Sequence, residues 1–295
     1  GSTVTDLAAH YGVGMSKFVS YGNATVIDES DVLEYLTEDE ETEIIVLYIE
    51  GVADGRRFYE TIKKANKKKP VLVLKGGKGK GGQAAAMSHT GNIAGSYLAY
   101  QAAFKQAKVT EAEGLHELFE FVKIFNQPKP KGNRVAIVTN GGGVGILTTD
   151  GVEKETNLLL AEFSEATKKK ISSFMPAYGN IGNPLDLVAD SGVDAYSKAL
   201  DILMNAPEVD ILVIVTLLQT PPMDERIIHV LTKASADRRK PIATISIGGA
   251  YTEAYRKILE SNGVPNYGSP LGAIKAISKL VTYADYYKHL KKTSE

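Results

Sequence analysis

The feature that most constrains this chain is a pattern that it uses twice. In the first half an apolar run ends at Glu50-Gly51, a helical pattern follows Asp54, and Lys69-Pro70 opens a second run closing on Gly76-Gly77. In the second half a run ends at Gln219-Thr220, a helical pattern follows Asp224, and Lys240-Pro241 opens a run closing on Gly248-Gly249. Short strand-like runs alternating with amphipathic helical ones predict parallel strands joined by crossover helices, an α/β fold. Only two copies occur, so the chain is not a long solenoid.

The expected class is therefore α/β, with two tandem flavodoxin-like parallel-sheet domains. In the first half the pattern predicts strands at 17–21, 43–50 and 70–75, and helices at 5–10, 31–36, 55–65, 96–106 and 114–125. The segment Gln127-Pro128-Lys129-Pro130-Lys131-Gly132-Asn133 cannot continue a helix and marks the boundary. Domains are expected over 1–127 and 132–295. The second half predicts strands at 134–139, 210–217 and 241–247, and helices through 150 and at 193–204, 224–236, 251–260 and 271–289. In such sheets ligands bind beyond the carboxyl ends of the strands, where both glycine-rich turns fall.

A net charge of −1 over 295 residues leaves no electrostatic footprint for nucleic acid. No apolar run is long enough for a membrane span and no leader pattern is visible. Cysteine is absent, which removes thiol nucleophiles and cysteine metal sites and suits a reducing cytoplasm. No metal site is expected.

Chemistry concentrates at Ser88-His89-Thr90-Gly91-Asn92-Ile93-Ala94-Gly95-Ser96. A lone loop histidine is commonly a solvated polar residue. Here small residues surround it and a helix is expected to open just after it. Neutral imidazole is a nucleophile near pH 7, and backbone N–H groups at a helix start hold anions. His89 is read as a phosphohistidine carrier. His10, His116, His229 and His289 sit among Lys, Glu and Leu and are expected at the surface.

Two glycine loops fit no nucleotide fingerprint. Lys75-Gly76-Gly77-Lys78-Gly79-Lys80-Gly81-Gly82 lacks the Gly-Lys-Ser/Thr triplet of a P-loop, and Gly141-Gly142-Gly143-Val144-Gly145 misses the dinucleotide spacing. The first is either a solvated connection or a cationic lure for phosphate. The second suits a carboxylate or anion cradle built from Asn140, Gly141 and Gly142 at a helix start.

Together these residues resemble the ADP- or GDP-forming acyl-CoA synthetases, relatives of succinyl-CoA synthetase. Ser88-His89-Thr90-Gly91, Tyr48-Ile49-Glu50-Gly51, Phe18-Val19-Ser20, Val138-Thr139-Asn140-Gly141-Gly142 and Gly182-Asn183-Pro184-Leu185-Asp186 carry the likeness in order along the whole chain. The resemblance implies that His89 is phosphorylated in turnover and that Glu50 steadies it. A carboxylate accepting from Nδ1–H fixes the tautomer that leaves Nε2 free to attack phosphorus. It also implies that Ser2, Thr3 and Gly91 bind phosphate, that Thr220 stands at a partnering helix start, and that Asn183 contacts the carboxylate substrate.

By the same resemblance the chain corresponds to the second and fifth of five family domains. CoA, ADP or ATP and Mg²⁺ would be bound mainly by a CoA-binding domain and an ATP-grasp, β-type domain or subunit, in a hetero-oligomer acting on a small carboxylic acid. The implied reaction is acyl-CoA + phosphate + ADP = carboxylate + CoA + ATP, most simply with acetyl-CoA. Two other readings stand beside it: a non-catalytic regulatory module of a protein acetyltransferase, and a plain phosphate- or nucleotide-binding protein.

Overall fold

A computed structural model describes residues 1–83 and 96–294. The chain divides into two compact units, one of Gly1–Ala8, Gly14–Val122 and Asp285–Glu295, the other of Ala9–Val13 and Lys123–Ala284.

The first unit contains most of α1 (Ser2–His10) and α5 (Leu115–Phe125), with α2 (Glu29–Glu38), β1 (Ile45–Ile49), α3 (Gly55–Lys68), β2 (Val71–Lys75), α4 (Tyr97–Ala107) and β3 (Thr110–Ala112) between them. Its strands are parallel in the order β1-β2-β3, with Leu47 opposite Val73 and Leu74 opposite Ala112. Helix α3 shows why such segments are helical. The Asp54 side chain accepts from the Arg57 N–H at 2.9 Å and caps the start. Phe58, Ile62 and Ala65 recur at helical spacing and are buried against Ile45, Leu47, Val71 and Val73. Full burial of a side chain such as Phe58 or Ile62 contributes about 1.5–3 kcal/mol.

The second unit holds β4 (Arg134–Thr139), α6 (Gly142–Lys154), β5 (Leu159–Leu160), α7 (Glu165–Ser172), β6 (Leu185–Asp186), α8 (Val193–Asn205), β7 (Ile211–Val215), α9 (Arg226–Asp237), β8 (Ile242–Ile245), α10 (Ala250–Ser261) and β9 (Asn266–Tyr267); α11 (Pro270–Ser294) follows. The order β5-β4-β7-β8-β9 is parallel throughout, and β6 pairs with the carboxyl end of β4 while β5 pairs with its start. The connections run outward in opposite directions from β4 and β7, so a crevice opens beyond those two strand ends.

The repeated Lys-Pro pair has one physical job in both units. Lys69 Nζ donates to the carbonyls of Leu36 and Asp39 at the end of α2. Lys240 Nζ donates to those of Leu203 and Ala206 at the end of α8, at 2.7 and 2.6 Å. Each lysine satisfies orphan helix carbonyls and places a cation at the negative end of the dipole. The proline that follows then starts the next strand.

Several expectations need correcting. Residues 17–21 form no strand. Ser16 and Lys17 are tethered near the start of β1, by Thr42 at 2.9 Å and by Asp39 and Glu41, but Phe18 and Val19 are both exposed. An alternating run needs one buried face, and this one has none. The short strands β3, β5, β6 and β9 and helix α7 lack a long enough pattern to be read in advance. His10, His116, His229 and His289 are exposed as expected. Among the described residues no helix is long and apolar enough to cross a membrane.

Candidate functional site

In the first unit, chemistry gathers at the carboxyl ends of β1 and β2. Glu50, directly after β1, is half-buried, and its Oε1 accepts from the Tyr48 hydroxyl at 3.1 Å. Burial, and then the hydrogen bond to Glu50, raise the Tyr48 pKa, so the phenol stays a donor. Tyr21 lies within electrostatic reach of Glu29, Asp28 and Glu50; burial first and these carboxylates next push it up to about 12. Gly76 faces Glu50 from the end of β2. A Cβ there would come within 3.0 Å of the Tyr48 hydroxyl and 3.4 Å of Glu50 Cγ, so this close approach favours glycine.

Lys75 ends β2 with only 3% exposure. Its Nζ donates to the Glu50 carbonyl at 2.6 Å and to the Gly76 carbonyl, and lies 4.7 Å from the Tyr100 ring centroid. Burial lowers its pKa, against the pull of Glu50 and Glu111. Lys78, read from sequence as part of a cationic lure, is bound instead to Glu111 and Glu113 at 2.9 and 2.8 Å. Burial opposes its charged form, but the hydrogen bonds of those two carboxylates outweigh it and raise its pKa. Its charge is locally compensated. Residues 80–83 are helical rather than open loop.

Ser2 and Thr3 occupy the first turn of α1 and are exposed. The nearby Thr5 hydroxyl donates to the Ser2 carbonyl at 2.9 Å. His89 and Gly91 lie outside the described residues.

In the second unit the crevice is tied across by an amide. Asn140, 1% exposed, accepts from the Leu217 N–H at 2.8 Å and donates to the Leu217 carbonyl at 3.3 Å and to the Thr220 hydroxyl at 3.1 Å. Asn140 and Thr220 are thus brought together. Helix α9 begins at Arg226, so Thr220 lies on a turn ahead of it and not at a helix start.

Gly141 is the N-cap of α6 and brings no capping side chain; the Thr139 hydroxyl takes the Gly141 N–H, and the following N–H groups of the helix start suit an anion. Glycine is needed at 141 because a Cβ would come within 2.2 Å of Leu217 Cδ1. At Gly142 a Cβ would meet Asp186 Oδ2 at 3.0 Å. Asn183 is occupied by main chain: it accepts from Ile137 N–H at 2.9 Å and donates to the carbonyls of Val135 and Ala161 at 2.8 and 3.0 Å. Both of its donors therefore serve to hold the sheet.

Three participants stood in the sequence only as members of motifs, with no role of their own: Lys75, Asp186 and Thr139, whose hydroxyl accepts from the Gly141 N–H at 2.9 Å. Lys75 closes an apolar run, and that position was the available signal.

Two family models match the chain: a succinyl-CoA ligase-like flavodoxin domain over residues 1–125 and a ligase-CoA domain over residues 135–280. The chain is 40% identical over 276 residues to the α subunit of the ADP-forming acetate–CoA ligase II of Pyrococcus furiosus, covering 92% of this chain and 60% of that one. It is 41% identical over 281 residues to the ADP-forming acetate–CoA ligase I of Archaeoglobus fulgidus, covering 95% of this chain and 40% of the relative. Among solved structures, the dinucleotide-forming acetyl-coenzyme A synthetase 1 of Ca. Korarchaeum cryptofilum, in complex with phosphate and ADP, superposes with a TM-score of 0.89 at 29% identity, over 99% of this chain and 65% of that one. The chain therefore spans only part of the length of each of these proteins.

Proposed function

Because the chain belongs to the NDP-forming acyl-CoA synthetases, α-type and built from succinyl-CoA ligase-like domains, we propose that it is the phosphohistidine-carrying part of an ADP-forming acyl-CoA synthetase. Acetyl-CoA is the simplest acyl donor. The observation that carries this reading is the 40–41% identity, over nearly the whole chain, to two ADP-forming acetate–CoA ligases.

The acyl group first passes from CoA to phosphate. Nε2 of His89 then attacks phosphorus of the acyl phosphate, the P–O bond to the acyl group breaks, and the carboxylate leaves. A second in-line displacement moves the phosphoryl group from His89 to ADP. Glu50, accepting the Nδ1–H, would fix the reacting tautomer and stabilise the charged ring. Ser2, Thr3 and Gly91 would supply N–H groups to the phosphoryl oxygens, and Asn140, Gly141 and Gly142 with Thr220 would frame the carboxylate. With both donors of Asn183 bonded to main chain, its support for the substrate carboxylate runs through the sheet it holds.

CoA and nucleotide would be held by a CoA-binding domain and an ATP-grasp partner. Among the described residues no group of three or more His, Asp or Glu side chains suits a metal ion. Mg²⁺ would travel with the nucleotide on the partner, where phosphate oxygens supply its ligands.

The test is phosphoenzyme formation with partner domains, Mg²⁺ and labelled ATP. An acid-labile, base-stable label that disappears in His89→Ala is expected. Equal labelling of His89→Ala, or an acid-resistant label, overturns the assignment.

A further inference from the structure

Lys75 presents a problem that the family resemblance leaves open. Burying an ammonium is costly unless a carboxylate or a dense hydrogen-bond shell compensates it. Lys75 is 3% exposed, and among the described residues it forms no ion pair. Its acceptors are two neutral carbonyls, those of Glu50 and Gly76, and a ring face at Tyr100. The neighbouring Lys78 is matched by Glu111 and Glu113. A buried positive charge, drawn by Glu50 and Glu111 but ion-paired with neither, therefore sits at the end of β2, on the edge of the sheet where ligands bind.

Its two acceptors belong to the residue after β1 and the residue after β2. The ammonium thus spans the strand ends from which the Glu50 side chain and the glycine loop depart. The same carbonyl groups lie on a packed block, since Gly76 N–H donates to the Ile49 carbonyl at 2.9 Å and Gly76 lies against Glu50 and Tyr48. A phosphoryl anion brought near Glu50 would be repelled by that carboxylate. A fixed cation between the strand ends offsets the repulsion without reorganisation when the anion arrives.

We propose that Lys75 is the positioning residue of this site, fixing Glu50 through its carbonyl and supplying the buried charge that lets a phosphoryl anion approach a carboxylate. This rests on the phosphohistidine reading above.

The decisive variant is Lys75→Met, which keeps the volume and removes the charge. The carbonyls it releases belong to half-buried residues, and the cost of burying the ammonium is lost with it. The chain should therefore melt no lower than wild type. With partner domains and MgATP, labelling should slow by about 10²-fold, in the range of a lost electrostatic donor, while the apparent KM for nucleotide stays within about twofold, as expected when ground-state binding is untouched.

In Lys75→Ala, propylammonium should restore labelling and 1-propanol should not. Labelling of Lys75→Met at the wild-type rate would overturn the proposal, and if that chain also melts lower the lysine is a structural tie alone; equal rescue by the alcohol would overturn it as well, because the charge would then do nothing. His89→Ala is run alongside. If it labels, the phosphohistidine reading itself has failed, and that outcome is separate from any behaviour of Lys75.

Discussion

Strands β1 and β7 occupy the same place in the repeated pattern, yet they end in different surroundings. All five residues of β7 are buried. In β1 alternate residues are exposed, Val46 by 40% and Tyr48 by 54%. The difference is the neighbour: β7 has β4 on its other side, and among the described residues β1 pairs with β2 alone, residues 17–21 making no ladder.

The polar tie at the strand end changes with it. Asn140 follows β4 and binds the Leu217 backbone beyond β7 with a neutral amide. Among the described residues of the first unit no strand occupies the corresponding place, and the tie comes from β2 as the charged Lys75. One repeat was completed as a satisfied scaffold. The other kept a buried cation beside Glu50, where phosphoryl chemistry is proposed.

The largest expected effect that sharpens this contrast is on the charged side. Glu50→Gln keeps the shape, including acceptance from Tyr48, but removes the charge. Phosphoenzyme formation should slow by about 10²–10⁴-fold with partner saturating, measured by rapid-quench labelling. An unchanged rate would remove Glu50 from the mechanism.

On the neutral side, Asn140→Leu should leave the Leu217 N–H without its partner at a half-buried strand end, while the Leu217 carbonyl keeps the Thr220 hydroxyl and N–H. A loss of about 1–3 kcal/mol is expected from the urea midpoint. A loss under about 0.5 kcal/mol, the scale of an ordinary surface change, would mean that the crevice is held by other contacts.

Matched substitutions test the edge against the centre directly. Val213→Thr buries a hydroxyl in β7 and should cost about 1–3 kcal/mol. Val46→Thr on β1 should stay within about 0.5 kcal/mol. Equal costs would show that β1 is covered in solution.

The smallest effect concerns pH. Burial lowers the Lys240 pKa to about 8, against its ordinary 10.5. Between those values the unfolded chain binds more protons than the folded one, so Lys240 makes stability rise with pH across that window. After solvent screening the gain should be about 1 kcal/mol or less, and it should vanish in Lys240→Met when urea midpoints are compared at pH 7 and pH 10.

How much was legible in advance can be seen residue by residue. The 134–139 strand and the helices at 55–65 and 193–204 were visible because an apolar period fixes face and type locally. The segment 17–21 carried a similar pattern and failed, because a strand also needs a partner. Glu50 and Asn140 stood out at the ends of strand runs, whereas Lys75 looked like one more lysine of a glycine loop.

By itself, the sequence determined the alternation of elements, the duplication, and the surface placement of four histidines. Those follow from periodicity and hydrophobicity, which act over a few residues. Even the Lys-Pro repeat was visible as letters. Only the tertiary structure decided that each such lysine closes a helix end, that Lys78 is ion-paired with acids while Lys75 is held by carbonyls, and that Asn183 is bonded wholly to main chain. Partners distant in sequence set those outcomes, because burial and charge compensation depend on what the fold brings within a few ångströms.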